Sequence, residues 1–168
     1  IKHLRPDLKF TNLRGNINTR IKKIHSGKPF STLLAMAGLI RLGNKNNIKF
    51  PISIGEILPP AGQGVIALVH KKNNLLAKKV CGLINDIDTN TIISAERSFI
   101  KKIQGDCNTP LSAYAEIKNN ILTLKTRLFS YDGSNYHEEE LSGNKEDAEH
   151  IGEECALKII KNGGLKLL

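Results

Sequence analysis

Between Ile121 and Phe129 polar and apolar residues alternate. Leu122, Leu124 and Leu128 fall on one side of an extended chain, and Thr123, Lys125 and Arg127 fall on the other. Successive side chains of a strand point to opposite faces, so the stretch predicts a strand whose sheet is covered on one face and wet on the other. An Asp132-Gly133 turn returns the chain into a second strand over 136–141, and residues 111–116 read as a third strand ahead of them. Helical patterns flank the three. From Thr89, a residue type that caps helices, Ile92, Ala95, Phe99, Ile100 and Ile103 share one face until Gly105. From about Lys145 to Lys161 the same holds for Ala148, Ile151, Cys155, Ile159 and Ile160, and Gly163-Gly164 ends the run. Residues 87–168 are therefore expected to form a small α+β unit: helix, three-stranded antiparallel sheet, helix.

The first part reads differently. A short strand is expected over 8–13, then a turn at Arg14-Gly15-Asn16 and a helix from about Ile17 to His25. A second apolar run over 31–36 leads into a short helix over 37–42, which stops at Gly43. Strand followed by helix, twice, predicts an α/β arrangement on a parallel sheet. After a loop-rich stretch, Gly62-Gln63-Gly64 opens onto Val65–Val69, a continuous apolar run of the kind that strands buried on both faces show. Residues 72–85 are helical in pattern, and 86–88 read as the link to the next unit.

With 168 residues, 40% of them hydrophobic and 24% charged, the chain can bury one modest core, or one and a piece of another. Its net charge of +9 suits an anionic partner. The lysines are spread along the chain as a solvated surface is, and the arginines are few: Arg5, Arg14, Arg20, Arg41, Arg97 and Arg127. No apolar run approaches the roughly 20 residues that span a bilayer, and the start IKHLRPDLKF has no signal-peptide core, so a cytoplasmic protein with no membrane partner is expected. The opening Ile, running straight into a strand-like stretch, reads as a piece of a longer polypeptide. Cys81, Cys107 and Cys155 make no C-x-x-C pair and no Cys/His cluster, which predicts neither a disulfide framework nor a metal site.

Among residues that could carry chemistry, Arg14 and Arg20 in RGNINTR and Arg41 in AGLIRLG stand out. A guanidinium offers a fixed fork of donors to carboxylate or phosphate, and helix N-termini beside Arg14 and near Ala37 add oriented amides. Together they describe an anion pocket. Spacing alone equally allows Arg20 to be a surface residue in an ordinary ion pair. Cys107, in GDCNTP between a helix end and Pro110, belongs to a loop where its thiol can be exposed as a nucleophile or attachment point, or can simply be structural. Cys81 and Cys155 lie on helical faces among apolar neighbours and read as inert core. Gly62-Gln63-Gly64 lacks the third glycine of a dinucleotide fingerprint and reads as a tight entry into a strand, and Glu138-Glu139-Glu140 as a solvated strand edge.

The ordered set LRPDL (4–8), LRGNINTR (13–20), LAMAGLIRLG (34–43), LPPAGQG (58–64), SAERSFIKKIQGDC (94–107) and PLSAYA (110–115) resembles the porphobilinogen deaminase family, also called hydroxymethylbilane synthases. The resemblance implies a transferase of heme and porphyrin biosynthesis. Such an enzyme joins four porphobilinogens head to tail, loses ammonia at each step and releases hydroxymethylbilane. It implies a covalent dipyrromethane cofactor held as a thioether on Cys107, with Arg14, Arg20 and Arg41 binding the acetates and propionates of cofactor and growing polypyrrole. Gln63 and Gly64 then belong to a hinge and cofactor-contact region. It also implies a fold of α/β plus α+β type. Residues 1–62 would be the latter part of a periplasmic-binding-protein-like second domain, 63–86 a segment crossing back to the first, and 87–168 the third domain, in a protein that is monomeric at full length.

The sequence also departs from the family pattern. The catalytic Asp that follows a His-Ser-x-Lys stretch has no counterpart, nor do the Ser/Arg-rich cofactor loop and the Thr-Ser-x-Arg-Arg segment, so no catalytic residue is assigned and the chain alone is expected to be inactive. Gly105-Asp106-Cys107 stands where the family has Gly-Gly-Cys. Two other readings compete. One is a basic module binding nucleic acid or other anions without chemistry, disfavoured by 5% aromatic content and the lack of a stacking platform. The other is a folding remnant held together by the core of residues 87–168.

Overall fold

The computed structural model describes residues 1–27 and 29–168. The alternating stretch over 121–129 is the middle strand of the sheet among the described residues. Strands β1 (Leu111–Lys118), β2 (Ile121–Phe129) and β3 (Tyr136–Asn144) form an antiparallel sheet in the order β1-β2-β3. The register sets Leu111 opposite Leu128, Ala113 opposite Thr126 and Ala115 opposite Leu124, with Leu124 facing Leu141 on the other side. One face therefore carries Ala113, Ala115, Leu122, Leu124, Thr126 and Leu128, all buried. Thr126 shares the apolar parity, and its hydroxyl donates to the Glu139 carbonyl at 3.2 Å, which removes the cost of burying it. The opposite face stays polar, with Lys125 paired to Glu140 at 3.1 Å and Arg127 to Glu138. Glu138 and Glu140 are thus on an outer strand facing solvent, as expected.

Two helices cover the apolar face: α4 (Ile87–Ile103) lies against β1, and α5 (Ala148–Lys161) against β2 and β3. Phe99, Leu122, Leu124, Leu128, Cys155 and Ile159 are fully buried where they meet, and each large apolar side chain there contributes about 1.5–3 kcal/mol. The cap of α4 is Asp86, three residues before the expected Thr89. Asp86 has the extended backbone of a cap, and its carboxylate accepts the Thr89 N–H at 2.7 Å. The helix closes on Gln104, left-handed at φ 60°, one residue before the expected Gly105. Gly105 is needed for space instead: a Cβ there would lie 2.6 Å from Leu111 Cδ2.

Residues 1–85 depart further from expectation. Helix α1 (Ile17–His25) is where the periodicity puts it, capped by Asn16, and α2 (Met36–Arg41) and α3 (Leu75–Leu83) follow. The strands expected over 8–13, 31–36 and 65–69 are absent, and with them the parallel sheet. An apolar run becomes a strand only where a neighbour pairs with its backbone, and among the described residues none does. Val69 is 93% exposed and Ile66 71%, the opposite of a strand buried on both faces. Cys81 is half-buried, not core, because α3 buries no residue, whereas Cys155 is fully buried as expected.

Candidate cofactor-holding site

Helix α1 begins where Asn16 accepts the Thr19 N–H at 2.9 Å. Just before it, Gly15 takes φ 124°, and Arg20 folds back so that its Nε donates to the Gly15 carbonyl at 2.8 Å. Lys23 Nζ does the same to the Arg14 carbonyl at 3.0 Å. These contacts hold the RGN turn against its own helix. Helix α2 packs on α1 at a glycine: a Cβ on Gly38 would come 2.8 Å from Ile17 Cδ1. Asn44 Nδ2, just past α2, donates to Asn18 Oδ1 at 3.2 Å. Arg14 thus precedes α1, Arg20 lies on it and Arg41 ends α2, the two helices touching at Ile17 and Gly38. Arg14 and Arg41 are exposed and Arg20 half-buried, and none of the three is matched by a carboxylate among the described residues. The surface ion pair allowed for Arg20 is therefore not formed.

Cys107 is exposed. Its loop is held by the preceding residue: Asp106 Oδ1 accepts the N–H groups of Asn108 and Thr109 at 2.8 and 2.9 Å and the Thr109 hydroxyl at 3.0 Å. The Asn108 amide and the Thr109 hydroxyl and amide hold the Asp106 carboxyl below its ordinary range. The extra carboxylate is thus spent on shaping the loop. Among the described residues no hydrogen bond joins this loop to α1 or α2, or to Arg14, Arg20 or Arg41.

Gln63 and Gly64 are exposed in a turn in which Gln63 N–H donates to the Pro60 carbonyl at 3.2 Å and Val65 N–H to that of Gly62 at 3.3 Å. Gly62 and Gly64 take φ 72° and 85°, which is why both are glycines. The turn does not lead into a strand. Instead the Gly62 N–H donates to Glu96 Oε2 at 2.7 Å, and Glu96 Oε1 accepts the Ala115 N–H at 3.0 Å. Glu96, only 5% exposed, is the functional candidate the residue pattern did not single out. Its signal was its place on α4, between Ala95 and Phe99 on the face assigned to the core. Burial raises its carboxyl above the ordinary range, opposed by the two amides. The first 62 residues meet the sheet at further points: His3 lies edge-on to Tyr136 at 4.8 Å, and Arg127 Nη2 donates to the Gly55 carbonyl at 3.4 Å.

Two family models match the chain. One, described as porphobilinogen deaminase, dipyromethane cofactor binding domain, covers residues 1–79, and the other, porphobilinogen deaminase, C-terminal domain, covers residues 91–161. The chain belongs to the porphobilinogen deaminase family. The boundary between the two matches falls beside α4, where the structure passes from short helices to the α+β unit. Similar proteins include porphobilinogen deaminases of Nitrobacter winogradskyi (35% identical, covering 97% of this chain and 52% of that protein), Vesicomyosocius okutanii (38%, 100% and 55%) and Thermus thermophilus (34%, 98% and 55%). The chain spans about half the length of the curated relatives it matches. Among the described residues no helix is long and apolar enough to cross a membrane, and no cluster of His, Cys, Asp and Glu could hold a metal.

Proposed function

We propose that this chain is the cofactor-holding C-terminal portion of a porphobilinogen deaminase, a cytoplasmic transferase that polymerises four porphobilinogens into hydroxymethylbilane. The observation that carries the reading is an exposed Cys107 in a loop held by Asp106, in a chain whose Arg14, Arg20 and Arg41 make no ion pair among the described residues. That donor set fits a polycarboxylate tethered through sulfur. The Cys107 sulfur would form a C–S bond to the aminomethyl carbon of a porphobilinogen-type pyrrole as its C–N bond breaks, the thiol proton leaving with the amine as ammonia, which gives the thioether. When bound, dipyrromethane would supply the primer carbon to which the first pyrrole is added, each later one joining the end of the growing chain. Arg14, Arg20 and Arg41 bind acetate and propionate groups as bidentate forks, a role that lysine would fill less well. Gln63 and Gly64 contact the cofactor from the turn above β1.

On this reading residues 1–62 are the latter part of a periplasmic-binding-protein-like domain, 63–86 cross back to the preceding domain, and 87–168 form the cysteine-bearing domain. The catalytic Asp of the family is not among the residues of this chain, so the chain alone binds and tethers but does not turn over, and the full-length protein acts as a monomer on porphobilinogen. Intact mass under denaturing conditions tests the assignment. An adduct of two pyrrole units is expected on the wild type and absent from Cys107→Ser, and Arg41→Ala lowers the loaded fraction. An adduct that persists in Cys107→Ser refutes it.

A further inference from the structure

Glu96 is the charged side chain buried in the core among the described residues, and it makes no ion pair there. Both of its oxygens are taken by backbone N–H groups from two separate parts of the chain, Gly62 and Ala115. The second of these donors has a specific origin. β1 is an edge strand, and its ladder starts with the Phe129 N–H donating to the Pro110 carbonyl. Hydrogen-bonded and open pairs alternate from there, so Ala115, opposite Leu124, falls at an open pair and turns its N–H away from β2. Ala115 is 3% exposed, so water does not meet that donor. The carboxylate meets it, and holds Gly62 with its other oxygen. Ala61, next to Gly62, packs against the core cluster.

We infer that Glu96 is a positioning residue: its carboxylate pins the Gly62-Gln63-Gly64 turn to the open edge of β1 and so fixes that turn relative to the Cys107 loop. The link is a single helix. Glu96 and Ile103 are seven residues apart on α4, about 10 Å along its axis, and the cysteine loop begins directly beyond. A turn gripped at Glu96 cannot shift against Cys107 without moving α4, which is packed on both β1 and α5. The two donors meet different oxygens of Glu96, Gly62 N–H meeting Oε2 and Ala115 N–H meeting Oε1. Glutamine offers one, aspartate is a methylene short, and alanine has none. The significance for cofactor loading rests on the function proposed above; the pin itself does not.

Backbone amide exchange by NMR, with denatured intact mass, tests both parts on the full chain as wild type, Glu96→Ala, Glu96→Gln and the exposed control Glu153→Gln. In Glu96→Ala the Gly62 and Ala115 amides should exchange at least about tenfold faster, beyond any change at Leu124 in the middle of the sheet. Glu96→Gln should release one of the two, and it decides by the same criterion if the alanine variant does not fold. Gly62 exchange that is unchanged, or that rises only in step with Leu124, overturns the pin. The loaded fraction of Cys107 should fall several-fold in Glu96→Ala and not in Glu153→Gln; a freed Gly62 with undiminished loading overturns the positioning role. Absence of an adduct from the wild type overturns the cofactor reading and with it that role, while the exchange data still decide the pin.

Discussion

Replacing Gly152 by alanine adds one methyl at the closest approach of α4 and α5. The new Cβ would lie 2.9 Å from Ser98 Cβ and 3.0 Å from the Phe99 nitrogen, and would overlap the Ala95 carbonyl oxygen. Ordinary contact begins near 3.4 Å, and none of these three atoms is the end of a flexible side chain. The helices must therefore separate by several tenths of an ångström. That also stretches the Ser98 hydroxyl donating across the gap to the Glu149 carbonyl at 2.7 Å. Overpacking of this kind costs about 1–3 kcal/mol, and the upper half applies where backbone is the obstacle. Alanine's better helix propensity returns about 1 kcal/mol, leaving a net loss of about 1–2 kcal/mol. For a unit of this size that is a Tm lower by roughly 5–15 °C. Urea and thermal melts followed by far-UV circular dichroism measure it. Gly82→Ala on α3 supplies the contrast: nothing lies within 4 Å of its new methyl, so it should be neutral or stabilising by up to about 1 kcal/mol. A Gly152→Ala protein as stable as the wild type would refute the close-packing argument.

Two pH predictions follow from opposite shifts. Burial pushes the Cys155 thiol up to about 12 from an ordinary 9.0, so its neutral form contributes full stability below pH 9, and that stability is lost as pH rises toward 12, by about 1.4 kcal/mol per unit. Cys155→Ala should flatten this part of the stability curve between pH 9 and 11; equal slopes in the two proteins would contradict it. In the β2–β3 turn, Asp132 accepts from the Ser130 hydroxyl and from the amide and hydroxyl of Ser134, which hold its carboxyl down at about 2. Its contribution is present above the ordinary carboxyl range and disappears as pH falls through about 2. NMR titration of Asp132 should show this low midpoint, and a midpoint at the ordinary 3.8 would show that the turn is not held by its carboxylate.

How much of the fold could be read in advance depended on whether a pattern carried its own partner. The alternation over 121–129 lies two residues from β1 and a short turn from β3, and the helices flanking the three strands had apolar faces to cover them. Every level of the pattern agreed, and the α+β unit formed as expected. The runs over 8–13, 31–36 and 65–69 are just as apolar, but apolarity specifies burial and not what supplies it. With no ladder partner they form no strand and are largely exposed, whereas α1, whose helical backbone hydrogen bonds are all local, forms in the same region.

The site divides along the same line. Cys107 was legible because a helix end and a proline mark a loop without reference to anything distant. Arg14, Arg20 and Arg41 were legible as residue types only; that α2 meets Ile17 of α1 at Gly38 was not. Glu96 was the hardest, since its role is set by two amides 34 residues before it and 19 after it in the chain. Yet an ionisable residue on a helix face otherwise given to Ile92, Ala95, Phe99 and Ile103 is itself information. Burying a carboxylate without partners is prohibitive, so its presence there requires donors that the helix cannot provide. No lysine or arginine of α4 shares that face. The donors here are backbone N–H groups that lack a partner of their own, and in a sheet such groups lie along its edges. A buried acid on the helix covering a small sheet therefore points to an edge strand, and to whatever second segment the remaining carboxylate oxygen holds there.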